Sequence, residues 1–260
     1  MRPAYPIVDL LDAGFLAPAA FAAGAINAVA GGGSLVSFPA LLAVGVPSKA
    51  ANVTNTVALW PGYLGGSLGY RNELQRQRKR VMTMLPACVA GAIAGSIILL
   101  ETPESAFDAF VPYLILFACG VMAMQDQLSA FARRHRLAAT GEDSIPWMSQ
   151  IAVFGMSVYG AYFGAGLGIL LLAMLTIFVP DDIQRSNALK GMLSLLINAI
   201  AVVYFAFFGP VRWGHMAVMA VAALAGGYFG VDIARRLGKG GIRVAVIAYG
   251  VFVAAVLLIT

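Results

Sequence analysis

Residues 81–100 read VMTMLPACVAGAIAGSIILL, twenty positions without one charged side chain. A helix of that length crosses the ~30 Å hydrocarbon core of a bilayer. Four further apolar runs, at 147–165, 186–208, 215–231 and 242–259, approach the same length. Of the 260 residues 60% are hydrophobic and 11% charged, and the mean hydropathy is +0.85. A soluble domain needs polar cover and could not hide so much apolar area. No long polar stretch is left over to build one. Backbone facing lipid must satisfy its own hydrogen bonds, so the sequence predicts an all-α polytopic membrane protein.

Residues 1–12 carry Arg2, Asp9 and Asp12 and show no cleavage pattern, so the first apolar segment is expected to stay in the membrane. Cys88 and Cys119 fall inside apolar runs and read as packing residues, not as a disulfide or a metal cluster. No metal or other cofactor is expected. The net charge of +5 reads as basic loops on one side of a bilayer, with no nucleic-acid partner.

The expected segments are 14–30, 35–46, 52–70, 81–100 and 107–127, then 147–165, 169–179, 186–208, 215–234 and 242–259. This divides the chain into a first membrane repeat, 1–127, a cytoplasmic connector, 128–146, and a second repeat, 147–260. The total is eight to ten membrane helices, counting short broken or re-entrant ones. Basic residues orient the loops. Arg71, Arg76, Arg78, Lys79 and Arg80 crowd one, Arg133, Arg134 and Arg136 another, and Arg235, Arg236, Lys239 and Arg243 a third. These twelve of the seventeen Lys and Arg assign their loops to the cytoplasm, which leaves the acidic 101–105 loop outside.

The halves repeat at an offset near 135 residues. Asn52 answers to Asn187, Gly91 and Gly95 to Gly226 and Gly230, Val46-Pro47 to Val179-Pro180, and Gly24-Ala25 to Gly160-Ala161. Several matches in one order carry weight that no single glycine match would. The basic loop at 71–80 aligns with 206–215, which falls outside. The acidic loop aligns with the basic loop near Arg236. Equivalent loops on opposite sides define an inverted repeat. Inversion requires an odd number of crossings per half, which five spans satisfy, as do three spans plus a re-entrant hairpin.

Broken helices at equivalent points of inverted repeats point to a binding site near the midplane. The breaks here are Gly31-Gly32-Gly33 and Gly164-Ala165-Gly166-Leu167-Gly168. A helix restarting after glycine presents unpaired N–H groups and a positive dipole end, which favour an anion. Ser34 adds a hydroxyl. Gly91/Gly95 and Gly226/Gly230 read instead as close helix packing. The second constellation is Asn52-Val53-Thr54-Asn55-Thr56, with Ser186-Asn187-Ala188-Leu189-Lys190 as its counterpart. Asn52 or Ser186 alone would be an N-cap, but four polar residues in five exceed what a cap needs. Lys190 lies inside an apolar run, where a cation is costly unless it is paired or serves a pathway, although its long stem also permits snorkelling.

All twelve Asp and Glu fall in loops, termini or helix ends, so no carboxylate relay is offered and a cation substrate is disfavoured. No Ser–His pair, metal-ligand set or aspartate pair lies within the apolar segments, which counts against an intramembrane enzyme.

The order Gly24, Gly31-Gly32-Gly33-Ser34-Leu35, Pro39, then Ala51-Asn52-Val53-Thr54-Asn55 resembles the sulfite exporter TauE/SafE family. The second half's Ser186-Asn187-Ala188-Leu189-Lys190 is similar to that family's second repeat, and the resemblance spans roughly 14–258. One departure is that the second glycine cluster alternates instead of forming a full triple. The resemblance implies a bacterial inner-membrane permease moving sulfite, sulfoacetate or related sulfur-containing or organic anions, usually outward. Residue reading and resemblance together predict a secondary transporter for a small anionic substrate. Its site would comprise Gly31, Gly32, Gly33, Ser34, Asn52, Thr54, Asn55, Asn187 and Lys190. The sequence leaves open a coupling proton and a homo-oligomer. Two other classes would be an intramembrane enzyme acting on a lipid or isoprenoid, and an accessory subunit without transport.

Overall fold

A computed structural model describes residues 9–29, 31–69, 71–75, 77–135, 146–179, 181–237 and 239–259. Every element among them is helical. The first half contains α1 (Leu10–Val29), α2 (Ser34–Ala43), α3 (Ser48–Gly69), the short α4 (Arg71–Gln75), α5 (Arg78–Glu101) and α6 (Glu104–Ala123). Then follow α7 (Gln125–Arg134), α8 (Trp147–Tyr162), α9 (Leu167–Phe178), α10 (Ile183–Phe208), α11 (Trp213–Leu237) and α12 (Lys239–Ile259). Leu10–Asn27, Arg78–Glu101, Glu104–Ala123 and Gln184–Phe208 are each long and apolar enough to cross a bilayer. The chain is a multi-pass membrane protein.

Chain directions follow from which helix ends touch. Ser48 and Lys49, opening α3, bond to Asp108 and Glu104 of α6 and to the Leu100 and Thr102 carbonyls that end α5. The Arg212 amide, just before α11, donates to Thr54 Oγ1 at 3.0 Å, and His215 lies 3.7 Å from Asp12 of α1. The starts of α1, α3, α6 and α11 therefore share one face. On the other face Arg80 of α5 pairs with Asp181, before α10, at 2.5 Å. Gln150 of α8 donates to the Thr83 carbonyl of α5 at 3.1 Å, and Arg243 of α12 meets Asp126 of α7 at 2.8 Å.

α1 and α2 thus enter from the first face and return to it, with Gly33 folded back against the Ala23 backbone. α8 and α9 do the same from the second face. Helices α3, α5, α6, α10, α11 and α12 cross. Each half is three crossings plus a hairpin, and the halves face opposite ways. Of the two arrangements that parity allows, this one holds and five full spans do not. α2 has 10 residues and α9 has 12, so at about 1.5 Å per residue the returning arm of each hairpin is only about 15–18 Å long, too short to cross the bilayer.

Exchange of the halves leaves the packing pattern unchanged. α1 runs parallel along α11, and α8 parallel along α5. Glycine makes both contacts possible. A Cβ on Gly24 would strike the Ala223 carbonyl, one on Gly226 the Phe21 carbonyl, and one on Gly91 or Gly95 the backbone of Phe154 or Val158. Gly91, Gly95 and Gly226 serve close backbone approach, as expected of them, and Gly24 does so as well. α3 crosses α10 at equivalent positions, where Trp60 Nε1 donates to the Leu195 carbonyl at 3.4 Å.

Several boundaries differ from the sequence expectation. α3 starts at Ser48, which places Asn52 in its second turn and removes the N-cap reading. The cap of α10 is Asp182, accepting from the Gln184 and Arg185 amides at 2.7 and 3.1 Å, and not Ser186. The start of the 128–146 connector is helical, because α7 is amphipathic and packs on α9. Residues 136–145, with Arg136, lie outside the described residues, as do Arg76 and Pro180.

Candidate functional site at the hairpin tips

Each hairpin turns through two glycines in the left-handed region. In the first, Gly31 and Gly32 have φ of 73° and 103°; in the second, Gly164 and Gly166 have φ of 73° and 79°. Only glycine takes these angles without strain. The two tips meet. A Cβ placed on Gly31 would lie 3.9 Å from the Gly168 Cα, and one on Gly168 would lie 3.8 Å from Lys190 Cδ. The glycine clusters and Lys190, separate in sequence, therefore share one locality.

The donors are distributed differently from the expectation. In the first tip the Gly32 and Gly33 amides both donate to Asn27 Oδ1, at 3.1 and 2.7 Å. They are capped by their own hairpin and are not open, a correction to the reading of that triple as a set of free donors. In the second tip, no hydrogen bond among the described residues engages the amides of Ala165, Gly166 and Gly168. Tyr159 shapes that turn by donating from its hydroxyl to the Ala165 carbonyl at 2.5 Å. The alternating cluster is the more open of the two.

The polar residues of α3 divide by helix face. Asn55, buried, accepts from Ser37 Oγ at 2.6 Å and so ties α3 to α2. Asn52, also buried, donates from Nδ2 to the Tyr162 carbonyl at 2.8 Å, at the end of α8 in the other hairpin. Thr54 is fully buried on another side of α3, where its hydroxyl accepts from the Arg212 amide. The structure does not bring Thr54 to the tips. Ser34 is half-buried at the start of α2. In α10, Lys190 Nζ donates to Asn187 Oδ1 at 3.3 Å, and no described carboxylate pairs with it.

Two polar residues of α10 escaped the sequence reading. Ser194 and Asn198 are buried, and Asn198 Nδ2 donates to the Ser194 carbonyl at 2.8 Å. They follow Lys190 at four and eight residues, so Asn187, Lys190, Ser194 and Asn198 line one side of α10. That helical spacing was the available signal. Asn27 was readable as a lone amide within the first apolar run, but its function as a cap depends on the turn.

Two opposed hairpins meeting in the bilayer inside an inverted repeat define a polytopic protein built on a transporter plan. The sulfite exporter TauE/SafE family model matches residues 16–257. The chain belongs to that family. It is similar to the probable membrane transporter protein ORF9 of a Sinorhizobium species, 24% identical with 86% of this chain and 84% of the relative covered. It is also similar to a probable membrane transporter protein of Haemophilus influenzae, 24% identical over 87% of each chain. A third relative, the probable membrane transporter protein YfcA of Escherichia coli, is 22% identical over 97% of this chain and 91% of its own. No solved structure matches the chain. The chain is accordingly a membrane transporter.

Proposed function

We propose that this transporter is a secondary permease exporting a small oxyanion of the sulfite or sulfonate type across the bacterial inner membrane. The observation that carries the reading is the meeting of the two glycine turns beside Lys190, whose described partner is the neutral Asn187. A side chain of this kind in a membrane helix calls for an anionic partner, and the restarting end of α9 presents amide donors next to it. Lys190, Asn187 and the Gly164–Gly168 turn form the main half of the site. Gly31, Gly32, Gly33 and Ser34 face it from the other hairpin, with Asn55 holding that hairpin to α3. The repeats 1–127 and 147–260 supply one hairpin each. The family description supports a sulfur oxyanion.

The basic loops assign the face bearing Arg80, Arg133 and Arg243 to the cytoplasm. Export from a negative interior gains about 2.3 kcal/mol per charge per 100 mV, so little further energy is needed. The test is flux from proteoliposomes loaded with sulfite, sulfoacetate, other sulfonates or carboxylates, with and without a pH gradient. Saturable efflux of sulfite or a sulfonate is expected. Folded protein that moves none of these anions would remove the reading, and dependence on the gradient would add a coupling proton.

A further inference from the structure

The two sequence halves are not the two packed bodies of this molecule. α1 makes its most extensive contact with α11, from the other half, and α3 also packs on α11. Reciprocally, α8 packs most extensively on α5, and α10 packs on α5 as well. The closest glycine-to-backbone contacts between the sequence halves lie along these exchanged pairs: Gly24 and Gly226 between α1 and α11, Gly91 and Gly95 between α5 and α8.

The polar links between halves follow the same division. Asp12–His215 and Thr54–Arg212 join α1 and α3 to α11 and to the turn before it. Arg80–Asp181, Gln77 donating to the Arg185 carbonyl at 2.9 Å, and Gln150–Thr83 join α5 to α8 and α10. α6 and α12 pair separately, with Gly250 against Cys119. Polar links also run between the groups. Four of them leave α3: Trp60 to the Leu195 carbonyl, at the crossing with α10, Asn52 to the Tyr162 carbonyl, and Lys49 Nζ to the Leu100 carbonyl at 3.1 Å and to the Thr102 carbonyl, at the end of α5. The Gly31–Gly168 contact and the edge-to-face pair Phe38–Phe163, 5.6 Å between centroids, lie on the same boundary.

We infer that the working bodies are two composite bundles, α1–α3 with α11 and α8–α10 with α5, which exchange one helix, and that Asn52 is the positioning residue at the joint between them. The inference rests on the permease reading and adds its mechanics. Interfaces where glycine lets backbones touch are costly to separate, because close packing is lost along the whole helix. At the boundary containing the hairpin tips, where α3 packs on α10 and four polar links leave α3, glycines approach facing backbone less closely than along the exchanged pairs, so relative movement costs less there. Movement there opens the locality around Lys190 while each exchanged pair stays intact. Asn52 binds the end of α8 from α3, so it sets the closed position of one bundle against the other.

The experiment measures nitroxide distances by pulsed electron spin resonance in the full chain in lipid. Cys88 and Cys119 are replaced by alanine and labels are attached through thioethers. Cysteines go at the exposed positions Leu11 (α1), Ile98 (α5), Ile151 (α8) and Phe229 (α11), two at a time. Leu11–Phe229 and Ile98–Ile151 join different sequence halves within one bundle. Leu11–Ile98 and Ile151–Phe229 join different bundles within one sequence half. The first two distances are expected to stay narrow and unchanged with and without sulfoacetate, while the last two shift or split. N52A is expected to broaden only the last two, which a general loss of stability would not do. The opposite pattern, with Leu11–Ile98 fixed and Leu11–Phe229 moving, would overturn the composite bundles, as would four fixed distances. An N52A protein with all four distributions unaltered would overturn the role of Asn52. Loss of the permease reading is scored separately, by absence of flux.

Discussion

Lys190 stands 135 residues after Asn55, at the equivalent place in the second half, yet the two side chains are held differently. Asn55 on α3 accepts from Ser37 of α2 at 2.6 Å, whereas among the described residues Lys190 donates only to Asn187 at 3.3 Å, beside Gly168. The repeat is symmetric in backbone and asymmetric in charge, and the unneutralised position belongs to the second half. A hydrogen bond to a charged group contributes about 1.5–3 kcal/mol, or roughly 10- to 100-fold in affinity. K190M is therefore expected to raise the KM for anion efflux by about that factor while the protein keeps its thermal unfolding midpoint. Unchanged KM would place the anion elsewhere.

The Asn27 cap gives a second prediction. Its Oδ1 satisfies two amides at a turn that only Gly31 and Gly32 allow. Removing the acceptor leaves two donors without a partner in an environment poor in water, at about 1–3 kcal/mol each. N27A is expected to lower the unfolding midpoint in detergent by several degrees, whereas N27D, which keeps an acceptor in place, is expected to stay close to the parent. Equal midpoints for all three proteins would mean that the cap adds nothing to stability.

Much of the fold was legible because lipid imposes simple rules. The apolar runs, the basic loops and the 135-residue offset gave the halves, their inversion and the odd parity. The choice of hairpins over spans was not legible. α1 has 20 residues, enough to cross, whereas α2 ends after 10, about 15 Å and too short to cross back. The site was legible as residue types, since a glycine break and a membrane lysine announce themselves. It was not legible as geometry. Whether an amide is open depends on Asn27, five residues away around a turn, and Thr54 and Asn52 face different neighbours although they are two residues apart.

Glycine positions separate packing from mere flexibility. A Cβ on Gly226 or Gly91 would overlap backbone of the facing helix, while one on Gly120 or Gly191 meets nothing within 4 Å. G226A and G91A are expected to lose several kcal/mol through forced separation of α1 from α11 or of α5 from α8, seen as a sharp fall in monodisperse protein on gel filtration. G120A and G191A are expected to be neutral or to gain about 0.5–1 kcal/mol, because alanine favours a helix interior over glycine. Equal recovery of all four proteins would contradict the tight interfaces.

Thr54 offers the sharpest contrast with the expectation from sequence, because its neighbours Asn52 and Asn55 serve the hairpins and it does not. Its hydroxyl accepts from the Arg212 amide and fixes the turn between α10 and α11. Valine keeps the volume and removes the acceptor, leaving a buried N–H unsatisfied at about 1–3 kcal/mol. T54V is therefore expected to lower the unfolding midpoint and leave the KM for anion efflux unchanged. S34A is expected to do the reverse, since Ser34 opens α2 at the tip and bears no comparable load. If T54V raised KM at constant stability, the hydroxyl would have to contact the anion.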